Sequence, residues 1–121
     1  MIIVLDSGVV GLIIYPKGTD ESTACSEWLE SVIEQGHTVA LPYIVDYEVR
    51  RELIRIGSLQ SLQRLDRLVE SLECLEVTPS VLREAAKLWA DARNSGQKTA
   101  DDKAIDCDML IVAAAFDIGT R

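Results

Sequence analysis

Four bulky apolar residues in a row, Ile2-Ile3-Val4-Leu5, run directly into Asp6-Ser7-Gly8. An unbroken apolar run followed at once by turn chemistry predicts a strand buried on both faces, as in a parallel sheet. Val9 to Ile14 then reads as a short helix, closed by Pro16 and Gly18. Thr19-Asp20-Glu21-Ser22 supplies a cap and an acidic first turn for a helix reaching about Gln35, with Trp28, Leu29, Val32 and Ile33 at helical spacing on its inner face. Gly36 ends that helix, and Thr38-Val39-Ala40-Leu41 predicts a second strand, stopped by Pro42.

Tyr43 to Ile56 has a helical pattern, Gly57-Ser58 breaks it, and Leu59, Leu62, Leu65, Leu68, Val69 and Leu72 form the clearest amphipathic stripe of the chain. The two helices are expected to pair as a hairpin. Leu75-Glu76-Val77-Thr78 predicts a third strand, and Pro79 opens a helix through Leu82, Ala85, Ala86, Leu88 and Trp89. A polar loop from Asn94 to Lys103 follows, and Asp108 opens a last apolar segment, Met109 to Phe116, closed by Gly119. Strand and helix patterns thus alternate, the signature of an α/β fold with a parallel sheet. The chain ends at Arg121 directly after this segment, so the further strand that normally follows such a helix is expected to be absent, either because the fold closes without it or because the chain lacks its natural end.

Composition narrows the field. With 121 residues, 48% of them hydrophobic, the chain is expected to form one folded domain, residues 1–121, with no linker or repeat. The longest apolar run is too short to cross a bilayer and the first residues do not form a signal peptide, so a cytoplasmic location without membrane association is expected. Three cysteines, Cys25, Cys74 and Cys107, stand far apart with no Cys-x-x-Cys pair, and His37 is the one histidine. Neither a disulfide framework nor a thiolate or imidazole metal site fits that inventory, and the cysteines are expected to act as small hydrophobes. The net charge of −8 opposes binding driven by phosphate neutralisation and favours basic partners.

Three acidic positions stand out. Asp6 ends a buried strand, Glu48 lies early in the helix after the second strand, and Asp108 opens an apolar helix after a polar loop. In open α/β sheets ligands bind beyond the carboxyl ends of the strands, where all three could gather. Carboxylates brought together repel unless a cation joins them. A hard divalent ion such as Mg²⁺ or Mn²⁺, which prefers oxygen ligands, would resolve that repulsion and activate water against a phosphodiester. Each residue also has a plain reading: Asp6 as an N-cap worth about 1 kcal/mol, Glu48 as a surface ion-pair partner, Asp108 as an acid favoured by the helix dipole.

These same segments resemble the PIN-domain proteins, specifically the VapC-type toxins of bacterial toxin–antitoxin pairs. Ile2-Ile3-Val4-Leu5-Asp6-Ser7 resembles the family's opening strand and Asp, and Leu41-Pro42 with Tyr47-Glu48-Val49-Arg50-Arg51 is similar to its Glu followed by Arg. Asp108-Met109-Leu110-Ile111-Val112-Ala113-Ala114 resembles the start of its last catalytic helix, and Thr99-Ala100-Asp101-Asp102-Lys103 resembles one subgroup. The resemblance implies a Rossmann-like three-layer fold with a helical-hairpin clip, Mg²⁺- or Mn²⁺-dependent cleavage of RNA, inhibition by a cognate antitoxin, and a homodimer. It implies Asp6, Glu48 and Asp108 as metal ligands and catalytic groups, with Asp101, Asp102 and Asp106 as second-rank candidates, since the loop aspartates could equally cap the last helix or, the favoured reading, keep the loop solvated. Arg50 and Arg51 are candidates for the scissile phosphate, with surface salt bridging as the alternative.

The competing expectation is a PIN-like module that binds protein partners without cutting anything, which the acidic balance favours. An aspartyl-phosphate domain would need a further acid two residues after Asp6 or a well-placed Lys, and Ser7-Gly8 offers neither.

Overall fold

The computed structural model describes residues 2–96, 111–115, 117 and 118. The chain forms two compact units, Met1–Cys74 and Leu75–Arg121. In the first, β1 (Ile2–Val4) is followed by α1 (Ser7–Ile13), α2 (Asp20–Glu34), β2 (Thr38–Pro42), α3 (Tyr43–Ile56) and α4 (Leu59–Ser71). A short β3 (Glu73–Leu75) spans the junction, and the second unit holds α5 (Pro79–Asn94) and a helical stretch at 111–115. The sheet order is β1-β2-β3, and β1 pairs with β2 in parallel, Ile3 opposite Val39 and Val4 opposite Ala40. The architecture is the α/β arrangement with a parallel sheet that the alternating pattern predicts.

Local chemistry sets the boundaries. Asp6 caps α1, its Oδ1 accepting the Val9 amide at 3.0 Å, so the helix begins at Ser7 rather than at Val9 as the apolar pattern suggests. Thr19 caps α2 and Thr78 caps α5 with Pro79 in the first turn. Gly57 closes α3 in the left-handed region, φ 71°, which lets the chain reverse into α4 and makes the expected hairpin. The third strand lies at Glu73–Leu75, earlier than the predicted Leu75–Thr78. The apolar content of that prediction misled it, because Val77 is 38% exposed and belongs to the turn leading into the Thr78 cap.

In the first unit the core is built from Leu5 of the β1 end, Val10 and Ile14 of the α1 region, Val39 to Leu41 of β2, Val45 of α3, and Leu65 and Leu68 of α4. Helix α2 departs from expectation: Leu29 and Val32 are buried, whereas Trp28 is 41% and Ile33 46% exposed. Its inner stripe runs through Ser22, Cys25, Leu29 and Val32, at i, i+3, i+7 and i+10, and Trp28 and Ile33 flank it. Ser22 can occupy a buried position because its hydroxyl donates to the Leu12 carbonyl at 2.7 Å, which fastens α2 to the end of α1. In the second unit Leu75, Val81, Ala85, Ala113 and Ala114 are buried. Among the described residues no helix is long and apolar enough to cross a membrane.

Candidate functional site

Parallel pairing places the carboxyl ends of β1 and β2 on one edge of the sheet, and both strands hand over to helices there. Asp6 is the second residue past the end of β1, exposed, with one oxygen occupied by the α1 cap. Glu48 stands on α3, in the second turn after β2, half-buried. Ser7 joins them: it follows Asp6 in the chain, and its hydroxyl donates a short hydrogen bond to Oε1 of Glu48. Helices α1 and α3 pack together, and this bond crosses their contact.

The second oxygen of each carboxylate has no partner among the described residues, and neither Asp6 nor Glu48 takes part in an ion pair there. Asp6 and Glu48 offer oxygen donors, the latter positioned by the Ser7 hydroxyl, and oxygen donors are the chemistry that suits a hard divalent ion. Such donors are compatible with a divalent cation, though among the described residues no three His, Cys, Asp or Glu side chains form a group that could hold one. Asp108, the third member expected from the sequence, lies outside the described residues, as do Asp101, Asp102, Asp106 and Cys107. His37 precedes β2 and so lies at the opposite end of that strand from the Asp6 edge.

The two arginines after Glu48 have different surroundings. Arg50 lies two residues beyond Glu48, well round the helix from it, and pairs with Asp46 of α3 at 2.9 Å and Asp66 of α4 at 2.8 Å. Its guanidinium pKa is pushed up, chiefly by the hydrogen bonds it donates to Asp46, with burial opposing and Asp66 adding to the rise. Arg51 is exposed and stacks over the Tyr47 ring, 5.1 Å from the centroid. Arg50 thus works as a tie between α3 and α4, whereas Arg51 is exposed and lies over Tyr47.

Cys25 and Cys74 are free and half-buried. Burial pushes the Cys74 thiol up from its ordinary value, a hydrogen bond with Tyr43 partly offsets this, and Asp46 adds to the rise. A thiol held protonated in this way is a poor nucleophile and a poor metal ligand.

A PIN domain matches residues 3–120. The chain belongs to the PIN-domain family. Its fold is also that of VapBC2 from Rickettsia felis, whose crystal structure is of a complex bound to a DNA fragment from their promoter. The match has a TM-score of 0.78 at 20% identity and covers 98% of this chain and 83% of that one. Comparison with curated proteins gives no significant sequence match. The part of the PIN domain that sequence reading left unassigned is Ser7. Its only signal is adjacency to Asp6, since the bond it makes reaches 41 positions along the chain.

Proposed function

We propose that this PIN domain is a Mg²⁺- or Mn²⁺-dependent endoribonuclease and the toxin of a toxin–antitoxin pair. PIN domains are generally nucleases. The observation that carries the reading is the Asp6–Ser7–Glu48 arrangement at the carboxyl edge of the parallel pair, an oxygen-only set with open carboxylate oxygens and no cation of its own among the described residues.

Asp6 and Glu48 would hold the ion, with Asp108 as the third oxygen donor and Asp101, Asp102 and Asp106 as additional candidates. When bound, such an ion lowers the pKa of water and offsets the negative charge that builds on a phosphodiester under attack. Ser7 fixes the rotamer of Glu48, leaving its second oxygen free to bind the ion or accept a proton from the attacking water. The cognate antitoxin and a second copy of the chain are the proposed protein partners, the former supported by the fold shared with the VapBC2 complex. The apolar stripe of α4, with Leu65 and Leu68 turned into the core, spends its buried face on folding rather than on a partner.

The test is cleavage of a mixed panel of structured RNAs with Mn²⁺, with EDTA, and with the variants Asp6→Asn and Glu48→Gln. Metal-dependent cutting that both substitutions abolish is the expected result. A folded chain that cuts nothing with Mn²⁺ would overturn the enzyme and leave the protein-binding module, which the net charge of −8 favours.

A further inference from the structure

Beside the Glu48 carboxylate, α3 carries an aromatic stripe that the core does not use. Tyr43, Tyr47 and Arg51 fall at i, i+4 and i+8, one above another on a single helix face. Tyr43 is 45% and Tyr47 56% exposed, while the buried face of the same helix is held by Val45. The Arg51 guanidinium lies over the Tyr47 ring, 5.1 Å from its centroid. Glu48 is the residue next to Tyr47 and lies one turn before Arg51, so the open end of the stripe borders the candidate site. A single exposed apolar residue needs no explanation, but contiguous planar groups stacked beside a carboxylate site do.

We propose that the Tyr47–Arg51 stack is the platform on which an unpaired RNA base lies next to Glu48, a reading that rests on the ribonuclease assignment. Unpaired bases are recognised by stacking on aromatic rings and on guanidinium planes, both present here. The charge of the protein strengthens the case. At −8 it gains little from neutralising phosphates, so binding must come from contacts that do not depend on net positive charge. Stacking is such a contact, and Arg51 adds a local cation where the base would sit.

The test is binding of a single-stranded oligoribonucleotide carrying 2-aminopurine, whose fluorescence falls when the base stacks. The measurement is made with Mg²⁺ in an Asp6→Asn background, so that cleavage does not intervene. Quenching on binding is expected, with Tyr47→Leu weakening affinity about tenfold or more and removing the quench. Tyr47→Phe, which keeps the ring, should retain both. Tyr47 is exposed, so these variants should fold, and Tyr47→Gln replaces the leucine variant if it does not. Parental affinity and quench in the leucine or glutamine variant, while the wild-type chain cuts RNA with Mn²⁺, overturns the platform alone. Failure of every form to bind the oligoribonucleotide overturns the platform and the ribonuclease reading together.

Discussion

Asp6 carries two duties that a pair of substitutions can separate. It caps α1 through Oδ1, and its other oxygen has no hydrogen-bond partner among the described residues, which leaves it open to the proposed ion. Asn caps about as well as Asp, whereas Ala costs about 1 kcal/mol. Asp6→Asn is therefore expected to abolish cleavage with stability almost unchanged, and Asp6→Ala to abolish it while also lowering stability by about that amount. Urea unfolding run beside the cleavage assay decides this, and equal loss of stability in both variants would remove the capping role. Ser7→Ala deletes a hydrogen bond to a carboxylate, an interaction worth about 1.5–3 kcal/mol when charged groups are involved. Cleavage should fall about tenfold or more as Glu48 loses its fixed position, and Ser7→Thr should recover most of it. Asp6 and Glu48 stand out as candidates in the sequence because each comes after a strand pattern. Ser7 does not, because a serine has no spacing signal and its partner is distant in sequence.

The α3–α4 hairpin shows which element-level forces matter. Arg50 bridges the two helices through Asp46 and Asp66, but its side chain is 32% and that of Asp66 56% exposed, so water screens much of the attraction. Leu65 in the same hairpin is fully buried. Asp66→Asn should cost less than about 1 kcal/mol, and high salt should erase most of the difference. Leu65→Ala should cost about 2–5 kcal/mol at any salt. Chemical denaturation at low and high salt measures both, and a large salt-insensitive loss in Asp66→Asn would contradict the ranking. Periodicity read this hairpin well, since Leu65 and Leu68 recur on one face and Gly57 marks the reversal. It failed on α2 because the inner stripe includes Ser22 and Cys25, which a search for large apolar residues passes over. Arg50 could not be sorted from Arg51 by sequence, since its direction depends on Asp66 of the next helix.

At the scale of the whole molecule, the net charge of −8 makes the metal question harder than it looks. Any cation will reduce self-repulsion in an acidic chain and raise its melting temperature a little, whether or not a site exists. A specific site behaves differently, because an ion bound only by the folded state stabilises by RT ln(1 + [L]/Kd), about 2.7 kcal/mol at a hundredfold excess over Kd. Mn²⁺ should therefore raise the melting temperature of the wild-type chain by several degrees along a saturating curve. Asp6→Asn should lose the saturating component and keep only the gradual response to ionic strength. Glu21→Gln, which removes the same charge from the exposed first turn of α2, separates charge from site. If Glu21→Gln retains the Mn²⁺ response and Asp6→Asn loses it, the ion binds at the edge where Asp6, Ser7 and Glu48 meet. Equal responses in all the proteins would mean that Mn²⁺ acts through bulk screening, and the oxygen pair would have to be explained without a metal.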